Sequence, residues 1–260
     1  MSAVKKDLLA ELLNGSLLDS VLRTDAAGLP ERIVRELKIE QLTSCFEDTP
    51  GLHSTKELIQ WLDDARADNH IFAKREGLNT LEEWRRDESG FFSHRQRKFF
   101  RVIGVKTMSP SREVSAWSQP ILDNEGTGII GLLMKRIKGR SYFLMQAKVD
   151  AGNRNTVQIG PTVQFNPGNY IDNEKLRKPF LFDRFLNSEG LMTIKESMQA
   201  EEGGRFFKEE HLHKILLLPD ELQLGIPPQY RWFSLNQIRF FLHLGDSVNS
   251  SARSILACLV

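Results

Sequence analysis

The sequence is short of most of the features that assign a function at sight. It carries two cysteines in 260 residues, Cys45 and Cys258, too few for a disulfide framework or a thiolate metal site, which suits a reducing compartment. Charge of one sign is not in excess: 35 Lys and Arg face 34 Asp and Glu, for a net charge of +1. Non-specific binding to nucleic acid needs a basic surplus or a basic face, so that class is excluded. No run approaches the roughly 18 apolar residues of a membrane span, and the N-terminus has no signal-peptide apolar stretch. The expectation is a soluble, cytoplasmic protein. Gly-x-Gly-x-x-Gly after a strand, a Walker-type phosphate loop and the Gly-x-Ser-x-Gly elbow are all missing, which leaves nicotinamide, ATP and serine-hydrolase chemistry without sequence support.

What is present divides the chain in two. Leucines over 4–23 recur at three-to-four spacing, with Gly15 and Ser16 as a break, and a second helix is expected over about 31–44. Ser54 with Glu57 reads as a capping box ahead of Leu58, Ile59, Trp61 and Leu62, and Thr80 with Glu83 repeats the pattern before Trp84. From Phe99 onward the period changes. Strands are expected over 99–106, 128–138, 141–149, 156–165, 191–199 and 214–218, with a hairpin turn at Lys138-Gly139-Arg140. Ile129, Ile130, Leu132 and Leu133, then Tyr142 to Met145, are apolar on consecutive positions, as in strands buried on both faces. Helices are expected over 180–187, 234–244 and 250–258. The organisation expected is α+β, with a helical extension over 1–90 and one mixed domain over 91–260.

Chemistry-bearing residues are concentrated in 146–170. Gln146, Asn153, Asn155, Gln158, Gln164, Asn166 and Asn169 alternate with Val157, Ile159 and Val163, setting a polar face against an apolar one. This pattern reads two ways, as a wet edge strand or as a pocket wall for a hydroxyl-rich ligand, since amides both donate and accept. Trp117 beside Gln119, and Arg205 after Gly203-Gly204, share this polar character. His211 and His213 lie on one strand face, but no carboxylate or cysteine cluster at ligand spacing accompanies them, and no metal site is expected. Arg95 to Lys98 reads as a solvated end leading into a strand.

Taken in order, these segments resemble the nucleoside-diphosphate-hexose 2,3-dehydratase family. The resemblance rests on Trp117-Ser118-Gln119-Pro120, Gln146-Ala147-Lys148-x-Asp150-x-Gly152-Asn153, Val157-Gln158-x-x-Pro161-Thr162-Val163-Gln164 and Asn169-Tyr170. It continues through Glu201-Glu202-Gly203-x-Arg205-Phe206, Trp232-x-Ser234-Leu235-x-Gln237 and Val248-Asn249-x-x-Ala252-Arg253-Ser254, and covers about residues 80–260. It implies a Nudix-like mixed β-sheet or sandwich with flanking helices, without the Nudix catalytic box. The implied reaction removes water across positions 2 and 3 of a 4-keto-6-deoxy sugar on a nucleoside diphosphate, usually thymidine diphosphate, with no cofactor or metal. A nicotinamide-dependent reductase then captures the diketone.

Family members usually carry two such repeats, so this single one implies a homodimer. The N-terminal helices are a further surface for a biosynthetic partner enzyme. The resemblance suggests catalytic roles for Lys148, Asp150, Tyr170 and Glu202 (or its neighbour Glu201). It suggests substrate binding by Trp117, Gln119, Gln146, Asn153, Gln164, Asn169, Arg205 and Arg253. A second reading keeps the fold and changes the task, to a dehydratase or isomerase on another polar substrate, or to a docking module without catalysis.

Overall fold

A computed structural model describes residues 31–44, 51–96, 99–171, 173 and 176–259. The leucine-rich helix expected over 4–23 and Cys45 lie outside the described residues, as do Arg97 and Lys98 of the basic stretch. Helix α1 (Glu31–Thr43) and helix α2 (Thr55–Ala67) open the described chain. The capping box is formed: Glu57 N–H donates to Ser54 Oγ at 3.2 Å and Ser54 N–H to a Glu57 carboxylate oxygen at 2.6 Å. This starts α2 so that Leu58, Trp61 and Leu62 face inward together. Ser54→Ala is expected to lower stability by about 0.5–2 kcal/mol, read as a lower urea midpoint with an unchanged slope.

The second capping pattern does not start a helix. Thr80 Oγ1 donates back to Gly77 O at 2.8 Å, closing a short 3-10 turn, and strand β1 (Trp84–Arg86) follows. Trp84 stacks on Phe92 of β2 (Phe92–His94) at 5.9 Å, and its centroid lies 4.9 Å from that of Phe100 in β3 (Phe100–Met108). Cross-strand aromatic pairing outweighs a local cap. Strand β4 (Ala116–Asn124) completes a four-stranded antiparallel sheet, in the order β1-β2-β3-β4. Pro120 obscures this strand in the sequence, and its position at the sheet's edge is where proline is tolerated.

The larger sheet is mixed. Its path runs β11-β6-β5-β10-β9, from β5 (Gly128–Ile137), β6 (Arg140–Val149), β9 (Met192–Ala200), β10 (Glu210–Leu218) and β11 (Tyr230–Ser234). Strand β7 (Val157–Gly160) adds to β6, and β8 (Val163–Phe165) adds to β5. The expected hairpin joins β5 to β6, with positive φ at Lys138 (50°) and Gly139 (77°), the twist of a type I′ turn.

Both faces are covered, which is why the apolar runs are continuous. On one side Leu132, Phe143, Met145, Ile215 and Phe233 pack with α2, α4 (Leu235–His243) and α5 (Ser250–Ala257). On the other, Leu133, Leu144, Val163, Phe165 and Leu216 pack with Phe182 and Phe185 of α3 (Phe182–Asn187). The expected α+β organisation with a mixed sheet and flanking helices is met. No described helix is long and apolar enough to cross a membrane.

Candidate functional site

Strand β10 runs parallel to β5, with His211 opposite Gly128 and His213 opposite Ile130, and antiparallel to β9. At the first residues of β5 and β10, the 3-10 turn Pro167–Tyr170 closes over the sheet. Asn166 begins that turn, accepting from Gly168 N–H at 3.0 Å and donating to Glu125 O at 3.1 Å. The result is a cavity of about 270 Å³ lined by Asn124, Gln164, Asn169, Tyr170, Glu209 and His211 around the start of β5. A wider cleft of about 730 Å³ lies against α3; there Lys178 pairs with Asp183 at 2.9 Å and Arg184 donates to the backbone carbonyl of Glu189 at 3.2 Å.

The smaller cavity ends on buried polar atoms that have no hydrogen-bond partner among the described residues. The Glu209 side chain is 4% exposed. Its Oε1 accepts from Asn124 Nδ2 at 2.9 Å, while its Oε2 has no hydrogen-bond partner. His211 Nδ1 is buried and without a partner too, while Nε2 lies 3.4 Å from Glu201 Oε1 and 3.5 Å from Glu209 Oε1. Gly128 provides the space before that ring, since a Cβ there would stand 2.7 Å from His211 Nδ1. Orphaned polar atoms inside a protein cost about 1–3 kcal/mol each, and a polar ligand relieves that cost. Tyr170 packs against Phe182 and Phe165, and burial pushes its hydroxyl above the ordinary tyrosine pKa.

The expected site residues separate into four groups. Gln164, Asn169 and Tyr170 line the cavity. Lys148 and Asp150 form an ion pair at 2.8 Å, with Lys148 lying over Gly160. A Cβ at Gly160 would meet Lys148 Cβ at 3.1 Å and Asn249 Nδ2 at 3.4 Å, and Asn249 in turn donates to Gln164 Oε1 at 3.2 Å. Neither Lys148 nor Asp150 lines the cavity.

The third group is on the outer hairpin. Trp117 Nε1 donates to Gln119 Oε1 at 2.8 Å and Gln119 Nε2 to Gly204 O at 2.9 Å, while Arg205 pairs with Glu202 at 3.3 Å. Glu202 is 62% exposed, so it lacks the desolvation that would suit it as a base, whereas its neighbour Glu201 turns inward to His211. Gln119 lies five residues along β4 from Asn124, about 17 Å at the strand rise.

The remaining expected residues serve the backbone. Gln146 donates to the carbonyls of Pro161 and Thr162, Asn153 closes the β6–β7 turn onto Thr156 O, and Arg253 donates to Val248 O. His213 does not join His211 in a ligand set. Its Nε2 lies 2.7 Å from Ser254 Oγ and its Nδ1 3.2 Å from His211 O, and burial pushes its pKa down. Among the described residues no group of three or more His, Cys, Asp or Glu is placed to hold a metal. Sequence reasoning missed Asn124, Gly128 and Glu209. The signal available was Glu209-x-His211, two polar residues on one strand face before an apolar run.

The family model for NDP-hexose 2,3-dehydratase matches residues 55–259. The chain is 34% identical over 98% of its length to a Streptomyces violaceoruber protein named dTDP-4-dehydro-6-deoxy-alpha-D-glucopyranose 2,3-dehydratase, covering 56% of that protein. It is 29% identical over its whole length to a Saccharopolyspora spinosa protein of the same name, covering 53% of it. The chain thus spans about half the length of these curated relatives. A solved ADP compounds hydrolase aligns over 72% of this chain and 93% of its own at 12% identity and a TM-score of 0.35, too low to bear on the fold.

Proposed function

The chain belongs to the NDP-hexose 2,3-dehydratase family, and on that premise we propose that it removes water across positions 2 and 3 of a 4-keto-6-deoxyhexose carried on thymidine diphosphate. The observation that carries this is the polar cavity whose buried Glu209 Oε2 and His211 Nδ1 have no hydrogen-bond partner among the described residues. Its volume of about 270 Å³ falls below the roughly 300–1,000 Å³ of pockets enclosing a drug-sized ligand. It therefore takes the sugar ring and leaves the nucleotide outside, toward β4 and the exposed Arg205.

The chemistry sets three requirements. A base removes the proton on C3, acidified by the 4-ketone; a donor stabilises the enolate oxygen; and the C2 hydroxyl leaves with a proton as water. The C3–H and C2–O bonds break, a C2=C3 double bond forms, and the resulting enol becomes a 3,4-diketone. Tyr170 suits the donor role, because burial keeps its phenol protonated. Asn169 and Gln164 offer amides to the ring hydroxyls, with Gln164 held by Asn249 Nδ2 at 3.2 Å. The same reading places the enzyme in the cytoplasm, as a homodimer that hands its diketone to a nicotinamide-dependent reductase.

Purified protein incubated with thymidine diphosphate 4-keto-6-deoxyglucose is expected to release one water per sugar, the product being trapped by an aromatic 1,2-diamine and weighed by mass spectrometry. Untouched substrate, with no shift of melting temperature on adding thymidine diphosphate, would sink the proposal.

A further inference from the structure

We propose that His211 is the general base of this site, with Nδ1 as the atom that takes the C3 proton and with Glu201 and Glu209 holding the ring. The assignment rests on the dehydratase reading above and names the group that reading leaves open. The two imidazole nitrogens have different surroundings. Nε2 faces two carboxylate oxygens, at 3.4 Å and 3.5 Å, and a nitrogen between two carboxylates is the one that carries the hydrogen. The lone pair is thereby left on Nδ1. That atom is buried, has no partner among the described residues, and packs against Gly128, where a Cβ would stand 2.7 Å from it.

A base also has to be held in place. Glu209 is fixed from behind by Asn124 Nδ2 at 2.9 Å, and Glu201 N–H donates to Glu209 O at 2.9 Å, locking the two carboxylate-bearing residues to each other across the neck of the 201–209 loop. That loop is itself bound to β4, by Leu122 N–H to Arg205 O at 2.8 Å and Phe207 N–H to Leu122 O at 2.7 Å. Proton transfer to Nδ1 makes an imidazolium, whose new charge is met by carboxylates already beside Nε2. Residues of the other kind are accounted for elsewhere: Lys148 is neutralised by Asp150, and Glu202 is exposed and paired with Arg205. Tyr170, on the turn across the cavity, remains as the donor to the enolate oxygen.

A substrate analogue without the C2 hydroxyl isolates the step. Thymidine diphosphate 4-keto-2,6-dideoxyhexose cannot eliminate water, so in deuterium oxide the enzyme can only exchange its single C3 hydrogen, whose loss proton NMR follows. Wild-type protein is expected to exchange it. His211→Gln is expected to lose at least about 100-fold in exchange and in dehydration of the full substrate, while thymidine diphosphate still raises its melting temperature. Gly128→Ala tests the same geometry without touching the imidazole, and is expected to lose activity because its Cβ occupies the space before Nδ1. Glu201→Gln, a change to a positioning residue, is expected to lower kcat by a smaller factor with KM unchanged.

Exchange at the wild-type rate in His211→Gln overturns the assignment alone. Wild-type protein that neither exchanges nor dehydrates overturns the dehydratase reading and the assignment with it.

Discussion

Phe233→Ala is expected to cost about 3–5 kcal/mol of folding stability, out of a total of about 5–15 kcal/mol for a domain of ordinary stability. Phe233 is fully buried on β11, opposite Phe143 of β6. Its ring meets Trp61 of α2 edge-on at 5.9 Å and Phe241 of α4 at 5.7 Å. One side chain thus joins the sheet to two helices that are far apart in sequence. Truncation removes the transfer free energy of the ring, leaves a cavity, and strips two aromatic contacts worth about 0.5–1.5 kcal/mol each. Urea denaturation should show the midpoint falling with the slope preserved, and Phe233→Leu should recover a good part of the loss. A midpoint unchanged by Phe233→Ala would mean that the α2 face is not anchored there.

Tyr170→Phe is expected to lower kcat by about 10²–10³-fold with little change in substrate affinity, the loss found when one enolate- or oxyanion-directed donor is removed. The ring stays packed between Phe165 and Phe182 in the variant, so the hydroxyl alone is tested. The pH dependence has a definite sign. A tyrosine donates while protonated, and burial raises this one above its ordinary value of 10.0. Its contribution therefore persists through neutral pH and is lost only on the alkaline side, above the usual tyrosine range. A kcat profile should show that alkaline limb in the wild type and lack it in Tyr170→Phe. An equal limb in both would assign the enolate donor elsewhere.

Much of the framework is legible in the residues because it depends on neighbours in sequence. Ser54 with Glu57, and Ser234 with Gln237, cap helices as their spacing implies, and Lys138-Gly139 turns the hairpin. The unbroken apolar runs of β5 and β6 imply cover on two faces, which α2, α4 and α5 on one side and α3 on the other provide. Thr80 with Glu83 misleads for a physical reason: three aromatic rings, Trp84, Phe92 and Phe100, gain more by pairing across strands than a cap gains locally.

The candidate site is legible only in part. Gln164, Asn169 and Tyr170 stand out as a polar, amide-rich run, and they do line the cavity. Gln146 and Asn153 belong to the same run, yet their amides close backbone carbonyls, and composition cannot separate the two uses. Glu209 acquires its meaning from Asn124, and His211 from Gly128, two partners more than eighty residues away in sequence. No local pattern marks such pairs, because they are made by strand order and loop docking.

The parallel pairing of β5 with β10 has a kinetic consequence. Its partners lie more than eighty residues apart in sequence, and non-local strand pairing is slow because a long loop must close before any contact rewards it. The cavity, whose wall needs Gly128 beside His211, therefore comes into being late in folding, after the β5–β6 hairpin and its local neighbours. Chains caught before that step hold most of their secondary structure and none of the binding site. Refolding followed by circular dichroism should accordingly run ahead of recovery of thymidine diphosphate binding. A ligand that recognises only the finished sheet will also draw late intermediates forward by mass action.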